Sequence, residues 1–171
     1  MAKKLVVYYS RTGENYFPDG IRSIEKGNSA IAAEAIAAAV QADIFEIDTV
    51  KPYAKNYREC CKEAVEEAKA NARPAIKAFL DSIDAYDTIF VCYPCWCGTA
   101  PMCVFTFLEN YDFAGKKIVP LCTNEGSGMA NSENDLRKFC KNAEVVAGLS
   151  VKGHQVSELA EEIGQWAKEN Q

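Results

Sequence analysis

Leu5 to Tyr9 is an unbroken apolar run that opens directly into Ser10-Arg11-Thr12-Gly13-Glu14-Asn15, a loop of hydroxyls, a glycine and an amide. Apolar residues at every position suit a strand buried on both faces, as in a parallel sheet covered by helices. Open α/β sheets place their ligands beyond the carboxyl ends of such strands. Ser10 and Thr12 offer hydroxyls, and Gly13 lets the backbone turn so that successive N–H groups converge on one anion. The pattern reads as a phosphate cradle; an ordinary polar loop is the bland alternative.

The remaining chain repeats the theme. Tyr16 to Gly27 lacks periodicity, contains the turn signal Pro18-Asp19-Gly20, and reads as an insertion between cradle and helix. Asn28 or Ser29 then caps a helix with Ile31, Ala32, Ala35, Ile36, Ala39 and Val40 at helical spacing. Its free amides and dipole would add to the anion site. Asp43–Ile47 reads as a second strand, and Tyr57–Ala72 as a helix broken at Arg73-Pro74. Ala75–Ile83 is expected to resume helix for a turn or two. Thr88–Tyr93 and Ile118–Cys122 are further solid apolar strands, with a helix through Val104, Phe105 and Leu108 between them. Ser132 and Asp135 resemble a capping box for the next helix. Glu144–Val151 reads as the fifth strand, and a last helix buries Val156, Leu159, Ala160, Ile163 and Trp166.

Five strands alternating with helices predict an α/β three-layer sandwich, a five-stranded parallel sheet in the order 2-1-3-4-5. A length of 171 residues suits a single domain over 1–171, with a core needing no disulfide staples. The net charge of -5 argues against a nucleic-acid partner, and nothing approaches a membrane span of about 20 apolar residues. No export signal precedes the first strand, so a cytoplasmic location with reduced cysteines is expected.

Three polar loops leave strands one, three and four and should meet at one rim. The second, Pro94-Cys95-Trp96-Cys97-Gly98-Thr99-Ala100-Pro101, brings a broad π face; the third is Thr123-Asn124-Glu125-Gly126-Ser127-Gly128. A ligand with a phosphate at one end and a flat, polar-edged aromatic at the other satisfies all three: flavin mononucleotide (FMN).

These segments, with Tyr8-Tyr9-Ser10-Arg11-Thr12-Gly13, resemble the three flavin loops of bacterial flavodoxins, in the branch with Pro-x-Trp in the second loop and Glu-Gly-Ser-Gly in the third. The resemblance spans nearly the whole chain and implies the flavodoxin-like strand order and FMN as cofactor. It implies Ser10, Arg11, Thr12, Gly13, Asn15, Asn28 and Ser29 around the phosphate, and Pro94, Cys95, Trp96, Cys97 and Gly98 along the ring. Thr123, Asn124, Glu125, Gly126 and Gly128 fall near the polar edge. Cys95 and Cys97 depart from the apolar or aromatic residues usual there.

Electron-carrier flavodoxins cover the second ring face with an aromatic from the third loop, and Asn124–Gly128 holds none. The implied function is electron carriage to a redox partner protein. An FMN reductase with an open face for NAD(P)H or a quinone is the alternative. Tyr16, Phe17 and Tyr57 are the unplaced aromatics, each a candidate to cap the open face, and Gly98 offers a carbonyl able to turn toward the flavin. Glu14, next to a dianion, should point to solvent. Cys92-Tyr93-Pro94-Cys95 matches C-x-x-C, but Cys92 lies inside a strand and no second pair completes a zinc site. Cys92, Cys122 and Cys140 read as buried inert thiols, and His154, the one histidine, as a loop residue. A receiver-type module would need an acidic cluster where Ser10 stands and an aspartate where Tyr93-Pro94 stands.

Overall fold

The computed structural model describes residues 2–171. Its centre is three adjacent parallel strands, β1 (Lys3–Tyr8), β5 (Tyr86–Pro94) and β6 (Lys117–Asn124). Leu5–Val7, Thr88–Tyr93 and Ile118–Thr123 are buried throughout, which is why their sequences show no alternation. β4 (Asp43–Glu46) flanks β1, while β7 (Glu144–Val145) and β8 (Leu149–Lys152) both pair with β6. All pairings within this sheet are parallel, and the expected order 2-1-3-4-5 is present as β4-β1-β5-β6 followed by the β7/β8 line.

Helices close both faces. Val6, Phe90, Cys92, Val119 and Leu121 point to one side, against Ala32, Ala33 and Ile36 of α1 (Asn28–Val40) and Ile163 and Ala167 of α5 (Ala160–Glu169). Gly164 lets α5 approach closely, since a Cβ there would stand 3.1 Å from that of Ala39. Trp166 packs edge-on against Phe90. Leu5, Val7, Ile89, Val91 and Tyr93 point to the other side, against α3 (Met102–Leu108) and Leu136 of α4 (Ser132–Phe139). α2 (Tyr57–Ala70) lies beside α3. No described helix is long and apolar enough to cross a membrane.

Four local expectations need correction. Tyr16–Gly27 is not irregular: β2 (Gly13–Phe17) and β3 (Gly20–Ile24) form an antiparallel hairpin turning at Pro18-Asp19. Residues 75–83 form no helix. Thr49 and Ile76 make an antiparallel bridge, with Val50 N–H on Ala75 O and Lys77 N–H on Asp48 O, so a non-local partner claims that backbone. Ser132 does not cap α4 either. It is fully buried, accepts the Tyr93 hydroxyl at 2.8 Å and donates to Met129 O, while Asn131 stands at the cap position.

Finally, the fifth strand is cut in two between Val146 and Gly148. Lys116 O and Ile118 O accept Glu144 N–H and Val146 N–H, so the even-numbered residues of β6 face this strand. Pro120 comes next in that series and has no N–H to offer. The ladder lapses beside it and resumes at Leu149. Gly148 fills the gap: a Cβ there would lie 2.7 Å from Pro120 O and nearer still to the Met129 methyl. Gly148→Ala should therefore cost about 1–3 kcal/mol, read as a lower urea midpoint at unchanged m-value.

Candidate functional site

The first cradle is assembled from both ends of the inserted hairpin. α1 begins at Asn28 after Gly27, whose φ of -70° is unremarkable for any residue. Gly27 is required for space: a Cβ would overlap Ser10 Oγ and lie 2.7 Å from Arg11 O. With the chains that close, Ser10 Oγ accepts the Ala30 N–H at 3.0 Å and supplies the cap that neither Asn28 nor Ser29 provides. The first-turn amides of Asn28 and Ser29 remain for a ligand, and no acidic residue occupies that turn. Ser29 Oγ meets Thr123 Oγ1 at 2.8 Å and ties the start of α1 to the end of β6.

The charged residues of the first loop serve the scaffold. The buried Arg11 guanidinium donates to Glu14 O, Ala54 O and Lys55 O, all at 2.9 Å. Glu14 does not face solvent as expected; its carboxylate accepts the Tyr57 N–H at 2.6 Å, where the α2 N-terminus favours a negative charge. Asn15 Nδ2 donates to Arg11 O and Gly13 O.

Trp96 is fixed by its neighbours. Tyr9 and Tyr53 meet its indole edge-on, with centroids at 5.3 and 5.0 Å, and the Tyr53 hydroxyl donates to Glu67 at 2.7 Å. Trp96 and Thr99 exchange backbone hydrogen bonds across Cys97 and Gly98, both at positive φ (52° and 77°), the signature of a tight I′ turn. The Gly98 carbonyl accepts the Asn131 N–H at 2.9 Å, so it is engaged away from the cleft rather than free to turn.

In the third loop, Asn124 Oδ1 accepts the N–H groups of Gly126 and Gly128, and its Nδ2 donates to Ser150 Oγ at 2.8 Å. Glu125 is bound by both oxygens: His154 N–H donates to Oε1 at 2.9 Å, and His154 Nδ1 lies 2.6 Å from Oε2. Gly153 makes room for this, since a Cβ there would overlap Asn28 Nδ2.

The three loops enclose one cleft of about 400 Å³. Of the residues named from sequence, Ser10, Arg11, Asn15, Asn28, Ser29, Pro94, Cys95, Trp96, Thr123, Asn124, Glu125 and Gly126 line it. Thr12, Gly13, Cys97, Gly98 and Gly128 do not: Thr12 is exposed, Gly13 begins the hairpin, and the other three hold turns. Of the unplaced aromatics, Tyr16 and Tyr57 line the cleft and Phe17 does not; sequence reasoning missed Ser127 and Gly153 in the lining, and Gly27 beneath it. The available signal for Gly27 was its place directly before the helical period, in Gly27-Asn28-Ser29. A second hollow of about 430 Å³ is lined by Glu63, Glu66 and Glu67 together with Lys51 and Arg73, and none of the three loops reaches it.

Cys95 brings unexpected chemistry to the cleft. Hydrogen bonding from the Cys122 thiol, opposed by burial and aided by the Ser127 hydroxyl and Gly98 N–H, draws its thiol down to about 6. The same contact pushes Cys122 up, and burial pushes up Cys97.

The flavodoxin family profile matches residues 22–170. The chain belongs to the flavodoxin family. A provisionally assigned flavoprotein from Bacteroides uniformis is 30% identical, with a TM-score of 0.77 and 98% of each chain covered. A flavoprotein from Lactobacillus acidophilus solved in complex with FMN shares the fold at 19% identity and a TM-score of 0.67, over 92% of this chain and 98% of that one. Oxidised flavodoxin 2 from Bacillus cereus does so at 19% identity and a TM-score of 0.53, over 98% and 99%. No curated protein sequence matches the chain.

The cleft fits FMN on its own geometry: a cradle that one Cβ would fill, neutral donors at a helix start, and an immobilised indole. Gly27→Ala should weaken FMN binding at least about tenfold by calorimetry, because Ser10 and the Arg11 carbonyl must both retreat. Iodoacetamide labelling of the apoprotein, mapped by mass spectrometry, should show the Cys95 thiolate emerging as pH rises through about 6. Cys97 should lag toward alkaline pH although it is the more exposed.

Proposed function

We propose that this protein is an FMN-dependent electron carrier, passing reducing equivalents between redox partner proteins. The observation that carries the reading is a single cleft joining a lysine-free anion cradle at the start of α1 to the fixed indole of Trp96. Flavodoxin family membership and the FMN bound to the Lactobacillus protein support it.

Bound FMN supplies one- and two-electron redox chemistry. The Asn28 and Ser29 amides, with the Ser10 and Ser29 hydroxyls, would grip the phosphate dianion and the helix dipole would stabilise it, the Arg11 guanidinium being engaged by three backbone carbonyls. Trp96 and Pro94 would hold the ring and keep water from one face. The Gly126 backbone, held by Asn124, offers polar groups to the ring's pyrimidine edge. His154 holds both Glu125 oxygens, which fixes that carboxylate in the cleft lining. We place the protein in the cytoplasm, in keeping with its eight free cysteines.

One feature favours a second reading, an FMN reductase using NAD(P)H or a quinone: Asn124–Gly128 offers no aromatic cover. Visible spectroscopy decides on the cofactor and anaerobic mixing on the role. The carrier should turn yellow with FMN, take up electrons in two resolved one-electron steps, and stay oxidised when mixed with NADPH or NADH. Direct bleaching by either nucleotide would make it a reductase. A protein that stays colourless and leaves FMN fluorescence unquenched at micromolar levels overturns both.

A further inference from the structure

The hairpin is the largest feature that the proposed function leaves unused. It belongs to neither face of the main sheet, yet it is firmly held. Arg11 ties its base to the loop before α2, Glu14 caps α2, and Phe17 is buried with the Arg22 guanidinium 4.0 Å above its ring. This anchoring places one residue oddly. Tyr16 lines the cleft and stacks on Tyr57 (centroids 6.3 Å apart, planes 30° apart), yet keeps 51% of its surface exposed. Tyr57, the first residue of α2, also lines the cleft. Apart from Trp96, these are the only aromatic rings in the lining.

A half-exposed tyrosine at the mouth of a cleft is ordinary surface unless something flat covers it. Here it has the Tyr57 ring beside it, tilted by 30°, and the backbone that carries that ring is tied to the hairpin by the Tyr57 N–H donating to Glu14. The hairpin thus brings a pair of tyrosine rings to the cleft, where the third loop supplies no aromatic.

We infer that Tyr16, backed by Tyr57, is the second aromatic wall of the flavin-ring slot, delivered by the hairpin inserted in the first loop instead of by the third loop. This rests on FMN occupying the cleft, and it favours the carrier over the reductase, since a ring walled by aromatics is shielded from a nicotinamide. The wall recognises the heterocycle and not its phosphate. A ligand reduced to the ring should feel its loss most.

The experiment titrates wild type, Tyr16→Leu and Tyr16→Phe with lumiflavin, which is ring alone, and with FMN, adding inorganic phosphate as a competitor against FMN. Tyr16→Leu should weaken lumiflavin roughly tenfold and alter the visible circular dichroism of bound FMN, with inorganic phosphate competing as in wild type. Tyr16→Phe should restore wild-type values, because the π face and not the hydroxyl does the work. Tyr57→Leu, which removes only the backing ring, should give a smaller loss in the same direction. Wild-type lumiflavin affinity and an unchanged spectrum in Tyr16→Leu overturn the inference while leaving the cofactor reading intact. A wild type that binds no FMN overturns the cofactor reading and this inference with it.

Discussion

The site depends on one close approach, the seating of Gly27 against Ser10 and the Arg11 carbonyl. Everything between them, the whole hairpin, bulges outward so that the end of β1 and the start of α1 can meet as if joined by a short loop. Closure then does two things at once. It brings Ser10 Oγ onto the Ala30 N–H, capping the helix, and it aligns the Asn28 and Ser29 amides at the same edge. The Ser29–Thr123 hydrogen bond transmits this placement to β6, so phosphate cradle and third loop share one frame.

Charges around the cleft are mostly spent on structure. Arg11 binds three carbonyls, Glu14 caps a helix, and Glu125 is locked to His154. What faces a ligand is a set of neutral donors plus a helix dipole. The buried Arg11 has its desolvation offset by three carbonyls rather than by the ligand, so such a cradle leaves the ligand's charge only partly neutralised. Negative potential from a retained phosphate charge would make adding an electron to a nearby ring harder, an effect that a lysine in the cradle would erase.

The sheet was legible because its central strands are buried on both faces, and that writes itself into every residue of Leu5–Tyr9, Thr88–Tyr93 and Ile118–Cys122. Helix α1 was equally plain from its 3.6-residue period. The parts that misled are those whose causes lie elsewhere in the chain. The break in the fifth strand is caused by Pro120 in the neighbouring strand, and the loss of helix after Pro74 by the bridge from Thr49. The hairpin shows no alternation because it rests on neither face of the sheet and carries charges on both strands. In the site, residue types alone favoured Thr12 and Gly13, since hydroxyl and glycine side by side look like a nest. The hairpin displaces them, and Gly27, which resembled loop punctuation, takes the role through shape rather than chemistry.

The second loop shows how far the same logic constrains redox behaviour. Its Cys97-Gly98 turn is closed by Trp96 and Thr99, with Thr99 Oγ1 donating to Asp135 at 2.7 Å and the Gly98 carbonyl held by the Asn131 N–H. On its other side the Gly98 N–H supports the Cys95 sulfur. Turning the Gly98 carbonyl toward the cleft would break the bond to Asn131, at a net cost of about 0.5–1.5 kcal/mol unless the flavin returns it. The peptide that could answer a proton on the ring is thus pre-engaged by α4 and by a thiol at the cleft floor.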